Sequence, residues 1–89
     1  MGGVRKKWAT QLGRLGEPRV KASAPIVRHR SKTAAYQYAG QQAEAWAAGS
    51  LSYQFVVVFV DEGDGNGWYT YENLDLAELA RLGKEKHDA

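Results

Sequence analysis

The segment LSYQFVVVFV, residues 51–60, constrains the fold most, because it predicts a strand in the core of the protein. Its odd-numbered residues are all large and apolar, which places five such side chains on one face of a strand. Its even-numbered residues change from Ser52 and Gln54 to valine in the second half. The pattern therefore predicts a strand that begins half exposed and ends covered on both faces.

The segment DEGDGNG, residues 61–67, follows directly and predicts a reversal of the chain. Aspartate and asparagine hydrogen-bond within their own turns, and glycine adopts positive φ at no steric cost. The next residues, GWYTYENL (67–74), alternate as a second strand should. We therefore expect the two strands to form a β-hairpin.

A calcium loop is the alternative interpretation of these acidic residues. An EF-hand loop needs oxygen ligands at alternate positions, glycine at the sixth position and a bidentate glutamate at the twelfth. With Gly67 at the sixth position, Asn73 occupies the twelfth and Glu72 lies one residue early. The flanking segments also have the pattern of strands and not of helices, so we predict a plain hairpin loop and no metal site.

Two segments predict helices. In SKTAAYQYAGQQAEAWAAG (31–49), Ser31 or Thr33 can accept the first free amides, and Gly49 stands where a left-handed residue ends a helix. In NLDLAELARLG (73–83), a leucine stripe predicts a shorter helix that ends at Gly83. We expect the first helix to face a sheet through the following side chains: Ala35, Tyr38, Ala39, Ala45 and Trp46. The cap of the second helix is Asn73 or Asp75, and its stripe is Leu76, Leu79 and Leu82.

The N-terminal third has two different residue patterns. Residues 19–30 alternate as a strand, and Pro25 predicts an edge position or a bulge because proline has no amide hydrogen. In residues 1–18, Val4, Trp8, Leu12 and Leu15 have helical spacing, while two glycines weaken a helix there. We interpret residues 1–18 as a short basic helix or a mobile arm.

These segments predict a single small α+β domain with element order β-α-β-β-α. A strand–helix–strand crossover makes its first two strands parallel, and the hairpin then gives a three-stranded mixed sheet. One face of this sheet is covered by the alanine-rich helix. The predicted boundaries are a basic arm or helix over residues 1–18, the domain over 19–83 and a polar tail over 84–89.

Composition limits the chemistry of the chain. It has no cysteine, which excludes disulfides and thiolate metal sites and suits a reducing cytoplasm. The longest apolar run, residues 55–60, is too short for a membrane span, and no apolar run follows the basic N-terminal residues as in a secretory signal. No catalytic triad or phosphate-binding glycine loop is recognisable. We therefore expect a non-enzymatic cytoplasmic protein without a cofactor.

Charge is distributed unevenly along the chain. Residues 1–32 contain nine of the twelve basic residues and one of the ten acidic residues. This asymmetry fits a polyanionic partner, or head-to-tail association of copies of the chain. The nucleic-acid hypothesis assigns phosphate contacts to these residues: Arg5, Lys6, Lys7, Lys21, Arg28, Arg30 and Lys32. The alternative is a solvent-exposed basic surface without a partner, whose charge balances that of the acidic half of the chain.

Aromatic residues suggest a second surface. Trp68, Tyr69 and Tyr71 lie on the predicted hairpin, and Trp8 lies on the N-terminal segment. Aromatic side chains are enriched at protein interfaces, so we predict these four residues to bind a partner protein. The alternative is that they form the core, because a small sheet under an alanine-rich helix has few other large side chains.

The helix segment (31–49) together with VVVFVDEGDGNGWYTYENLDL resembles a small protein type carried by phages and prophages of actinobacteria. The resemblance covers residues 31–76, and its shared motifs are structural. It implies a phage accessory protein that binds a host or phage protein in the bacterial cytoplasm, with self-association, in a host-interference or immunity-type role. The alternative is a nucleic-acid-binding accessory protein that uses the basic N-terminal third.

Overall fold

The computed structural model describes residues 6–16 and 24–88. In chain order the elements are β1 (Lys7–Gly13), β2 (Val27–His29), α1 (Lys32–Ala47), β3 (Phe55–Asp61), β4 (Trp68–Asp75) and α2 (Leu76–Asp88). The strands form one sheet in the order β2-β1-β3-β4, and every neighbouring pair is antiparallel. The α+β class is confirmed, and the sheet has one strand more than predicted.

The additional strand is β1, which lies in the interior of the sheet between β2 and β3. The prediction of a basic arm or helix over residues 1–18 is therefore wrong for residues 7–13. Helical spacing of the apolar residues was misleading because β1 is covered on both faces: residues 8–13 are all buried. Even its polar residues are enclosed, since Thr10 contacts His29 at 2.9 Å and Gln11 Nε2 donates to the carbonyl of Ala24 at 3.0 Å.

The position of β1 also corrects the predicted mixed sheet. β2 and β3 run in the same direction, as expected for strands joined by a helix, but β1 lies between them and is antiparallel to both. The strand predicted over residues 19–30 is limited to Val27–His29 among the described residues, and residues 19–23 lie outside them. Its edge position is confirmed.

Helix α1 begins and ends as its sequence indicates. The Ser31 hydroxyl accepts the amide of Ala34 at 3.0 Å, which decides between the two predicted caps. Gly49 has a φ of 78° after the last turn, in the left-handed region that glycine adopts readily. The buried residues are Ala35, Ala39 and Ala43, one row of residues four apart, so the helix backbone approaches the sheet closely.

Both helices pack on the same face of the sheet. Ala35 contacts the cluster of Trp8, Val58 and Val60. Farther along the sheet, Leu12 and Val56 pack with α1 and with residues of α2. Leu76 at the start of α2 is fully buried there.

The opposite face of the sheet carries a smaller apolar cluster. Ala9, Val57 and Phe59 are buried in it, and Phe55 and Trp68 pack against them half-buried. A Cβ added to Gly13 would lie 2.5 Å from Phe55 Cε2, so the phenyl ring occupies the space that the glycine leaves. The glycine in β1 thus permits the aromatic ring of Phe55 to lie against the backbone of β1.

Helix α2 follows β4 without a loop. The Asp75 side chain accepts the amides of Ala77 at 2.9 Å and Glu78 at 3.4 Å, as an N-terminal cap does. The helix continues through Gly83 to Asp88, so the predicted helix end at Gly83 is wrong, and residues 84–88 of the predicted polar tail belong to the helix. One glycine costs a helix only about 1 kcal/mol, and the lysines and glutamate after it are good helix formers.

Candidate functional site

Strand β4 is an end strand of the sheet and one of its most exposed elements. Its five central residues, Tyr69–Asn73, are all exposed, although the strand pairs with the buried strand β3 along its whole length. Tyr69 and Tyr71 are 41% and 46% exposed, among the largest apolar surfaces of the described residues. An end strand of a sheet can pair with a further strand along its outer side.

A bulge in β4 directs Tyr71 across the sheet. Val58 pairs with Glu72 and Phe59 pairs with Thr70, so Tyr71 is the additional residue between them. Its ring meets the buried Trp8 ring edge-to-face, with centroids 5.0 Å apart and an interplanar angle of 80°. Lys32 Nζ donates to the Tyr71 hydroxyl at 2.7 Å and lies 4.8 Å from its ring centroid. The exposed tyrosine is therefore held in one position by β1 and α1.

Two further tyrosines are fixed by carboxylates next to β4. Tyr36 of α1 donates its hydroxyl hydrogen bond to Glu72, and burial together with this carboxylate raises the pKa of Tyr36. Tyr69 donates to Asp64 Oδ2 at 2.8 Å, and this bond raises the pKa of Tyr69. Both phenols therefore stay protonated and act as donors at neutral pH. We call Tyr69–Asn73 with Trp8, Lys32 and Tyr36 the β4 edge surface.

The hairpin loop uses its carboxylates for its own turns. Asp61 Oδ1 accepts the amide of Gly63 at 2.8 Å, and Asp64 Oδ1 accepts the amide of Asn66 at 3.0 Å. The Asn66 amide and then the Tyr69 hydroxyl lower the pKa of Asp64. The three glycines of the loop all have positive φ. The predicted hydrogen bonds of aspartate within the turn and the positive φ of its glycines are confirmed. Within residues 6–16 and 24–88, no group of three or more His, Asp or Glu residues could hold a metal ion.

The four predicted partner-binding residues do not form one surface. Trp8 and Tyr71 are in contact, and Tyr69 lies in the same strand beside the loop. Trp68 packs on the opposite face of the sheet with Phe59. Sequence reasoning missed Tyr36 as a neighbour of β4, although Lys32 and Tyr36 are four residues apart and therefore share one helix face.

The basic residues predicted to bind nucleic acid are also divided. Lys6 Nζ lies 3.7 Å from Glu62 Oε2, and Lys32 contacts Tyr71 as described. Lys7, Arg28 and Arg30 are exposed in β1, in β2 and directly after β2, and the register pairs Arg28 with Ala9, two residues from Lys7. Arg5 and Lys21 lie outside the described residues. The structure thus brings together three of the seven predicted residues.

His29 of β2 contacts side chains of both β1 and α1. Its Nε2 atom lies 2.9 Å from the Thr10 hydroxyl, and its ring centroid lies 5.0 Å from that of Tyr38. Burial lowers the pKa of His29. The histidine joins the edge strand β2 to β1 and to α1, which gives it a role in holding the short edge strand in place.

A groove of about 500 Å³ lies between the two helices. Gly40, Ala43 and Ala47 of α1 and Gly83 of α2 line much of it, so small side chains at a close helix crossing account for its shape. Among the lining residues whose side chains the structure describes, Glu44 is the one ionisable group. The β4 edge surface, with its fixed hydroxyls and exposed rings, is the stronger candidate.

Comparison of the chain with protein-family models, curated proteins and solved structures found no match. Within the described part of the chain, no helix has both the length and the apolar character needed to cross a membrane.

Proposed function

We propose that the protein is a non-enzymatic protein-binding module and that its β4 edge surface adds an extended segment of a partner to the sheet. The observation that carries this proposal is the exposure of Tyr69 and Tyr71 on an eight-residue end strand, in positions fixed by neighbouring side chains. Strand addition derives affinity from backbone hydrogen bonds and specificity from side chains on both sides of the new strand.

The fixed tyrosines favour binding for an energetic reason. Ordering a flexible side chain on binding costs about 0.5–1.5 kcal/mol. Tyr71 is already held by Trp8 and Lys32, and Tyr69 by Asp64, so less of this cost remains. Tyrosine is also enriched among the residues that dominate interface energies.

The resemblance of residues 31–76 to actinobacterial phage and prophage proteins supports a biological setting for this module. In that setting the partner is a host or phage protein in the bacterial cytoplasm, and binding interferes with a larger machine or protects against interference. No cofactor is required for such a role.

The proposal is tested by affinity purification from the host, followed by binding measurements with the captured protein. Tyr69→Ala is expected to weaken binding about tenfold or more, the usual loss at an interface hot spot. Leu82→Ala is the matched control, because Leu82 is 45% exposed but lies on α2. A partner that binds both variants with wild-type affinity would show that the β4 edge surface is not the binding site.

Nucleic-acid binding is the second candidate, and the adjacent exposed cations Lys7, Arg28 and Arg30 favour it. Binding of mixed-sequence DNA and RNA should then weaken steeply with salt, because each phosphate contact releases counterions. The double variant Arg28→Ala, Arg30→Ala should reduce the slope of log K against log salt by about two. Absence of binding at low salt would eliminate this candidate.

A further inference from the structure

The hairpin loop beside the β4 edge surface contains an asparagine followed directly by a glycine, Asn66 and Gly67. We propose that these residues form a self-modification site, at which Asn66 loses its side-chain amide in the folded protein and gains a carboxylate that disturbs the contact of Asp64 with Tyr69. The reaction itself does not depend on the proposed function, whereas its consequence for a bound partner rests on that function.

The reaction needs no reagent other than water. The backbone nitrogen of Gly67 attacks the side-chain carbonyl carbon of Asn66 and forms a carbon–nitrogen bond. The bond to the side-chain nitrogen breaks, and ammonia leaves with the proton that the Gly67 nitrogen gives up. Water then opens the resulting cyclic imide at either of its carbonyl groups, which yields aspartate or isoaspartate. The net change is hydrolysis of an amide to a carboxylate and ammonium, without oxidation or reduction.

The position of Asn66 and Gly67 in the loop favours this ring closure. The pair of Asp61 with Trp68 ends the β3–β4 ladder, so both residues lie outside the ladder, and Asn66 is exposed. Glycine has no side chain that could shield its backbone nitrogen. A Cβ added to Gly67 would meet nothing within 4 Å, so neighbouring residues leave this space open as well. The ring can therefore form without breaking the pairing of the sheet.

The other asparagine of the chain, Asn73, is protected by its place in the fold. It lies within β4 and pairs with Val57, so its backbone is fixed in the sheet. The residue after it is Leu74, whose branched side chain is half-buried and packs against the core. Ring closure at Asn73 would have to displace both, so we expect this asparagine to remain intact in the folded protein.

Asp64 is followed by Gly65 and is the other loop residue next to a glycine that could form such an imide through its side chain. The Asn66 backbone amide and the Tyr69 hydroxyl lower the pKa of Asp64, so its side chain is ionised at neutral pH. A carboxylate resists attack by a nitrogen nucleophile, because its carbon is a poor electrophile and it lacks a good leaving group. The neutral amide of Asn66 is therefore the more reactive of the two groups.

The new carboxylate would arise beside Asp64. After the Asn66 backbone amide and the Tyr69 hydroxyl, the side-chain amide of Asn66 also lowers the pKa of Asp64. The reaction replaces this hydrogen-bond donor with a group of the same charge as Asp64, and like charges at short distance repel each other. The repulsion weakens the turn that positions Asp64, and with it the 2.8 Å hydrogen bond from the Tyr69 hydroxyl.

Mass spectrometry with peptide mapping tests the reaction during incubation of the folded protein in neutral and in mildly alkaline buffer. Asn66 is expected to convert, and to convert faster at the higher pH, because attack needs the deprotonated Gly67 nitrogen. Asn73 should stay intact until the chain is unfolded in urea, which removes its protection. An unchanged Asn66 in the folded protein would overturn the inference, whether or not the unfolded chain converts. Equal conversion of both asparagines in the folded protein would show that the fold does not select the site.

The effect on Tyr69 is tested with Asn66→Asp, which reproduces one of the products. Carbon NMR should show a higher pKa for Asp64 in this variant than in the wild type, because a donor is lost and a like charge is gained. Asn73→Asp adds the same charge to β4 and should leave the pKa of Asp64 unchanged. If Asn66→Asp also leaves it unchanged, the modification does not reach the contact with Tyr69 and that part of the inference fails.

The reaction and the proposed function can fail separately, because neither measurement uses a partner. If Asn66 converts as described but no Tyr69-dependent partner exists, the inference stands while the proposed function fails. If Asn66 stays intact in a folded protein that captures a Tyr69-dependent partner, the converse holds.

Discussion

At the residue scale, Gly13 is required because the ring of Phe55 occupies the space beside it. In Gly13→Ala the new Cβ would lie 2.5 Å and 2.6 Å from two ring carbons, so the ring must move. Overpacking of this kind costs about 1–3 kcal/mol. Gly40→Ala is the matched control: its Cβ meets nothing within 4 Å, and alanine stabilises a helix by about 1 kcal/mol over glycine. In urea denaturation, the unfolding free energy should fall for Gly13→Ala and rise for Gly40→Ala. A rise for both variants would contradict the contact between Gly13 and Phe55.

His29 gives the fold a pH dependence at the same scale. Burial lowers its pKa from the ordinary 6.5, so the unfolded chain binds a proton more readily than the folded chain. Stability from this residue is therefore complete above pH 6.5 and decreases as the pH falls through that value. His29→Gln keeps a hydrogen-bonding group near Thr10 but does not titrate. Between about pH 7.5 and 5 the unfolding midpoint in urea should fall further for the wild type than for the variant. If the urea midpoints of the wild type and of His29→Gln fall equally with pH, His29 does not cause the pH dependence.

At the element scale, the parts of the fold that could be predicted are those whose signals are local. The β3–β4 hairpin follows from a valine run and a glycine-rich turn, and α1 follows from alanine content and its end residues. Strand β1 could not be predicted because both of its faces are buried, which removes the alternation that identifies a half-exposed strand. Its polar residues Thr10 and Gln11 are satisfied by partners at least 13 residues away, and no local pattern reveals such partners.

The N-terminal cap of α1 is a second test at the element scale. The Ser31 hydroxyl accepts the amide of Ala34, and Thr33 is exposed in the first turn. Ser31→Ala should lower the unfolding free energy by about 0.5–2 kcal/mol, because a helix amide loses its partner. Thr33→Ala leaves that amide bonded, and alanine is the better helix former, so it should be neutral or slightly stabilising. Equal losses in the two variants would contradict the cap.

At the scale of the whole molecule, the candidate site combines segments that are distant in sequence. Their residue type marked Tyr69 and Tyr71 as candidates for partner binding, and the predicted hairpin placed them on one strand. Their contacts with Trp8 and Lys32 depend on β1 lying beside β3 and on α1 beginning above the sheet, which no local pattern specifies. The basic residues were divided for the same reason, since the sheet places Lys6 next to Glu62.

The interior position of β1 makes the N-terminal segment essential to folding. Removal of residues 1–13 leaves β2 and β3 without their shared neighbour and deletes the buried side chains of Trp8 and Leu12. Each large side chain contributes about 1.5–3 kcal/mol when buried, against a total stability of roughly 5–15 kcal/mol. The truncated chain should therefore lose its near-ultraviolet circular dichroism and its cooperative thermal transition.

A peptide of residues 6–16 supplied in excess should restore both signals, because it carries β1 and the backbone groups that both neighbours need. A peptide with Thr10→Pro is the control, since proline cannot donate to the sheet and its ring is not accommodated in an interior strand. A truncated chain that unfolds cooperatively without any peptide would show that the segment is a dispensable arm. The same result would remove the support of Trp8 for Tyr71, on which the fixed geometry of the β4 edge surface depends.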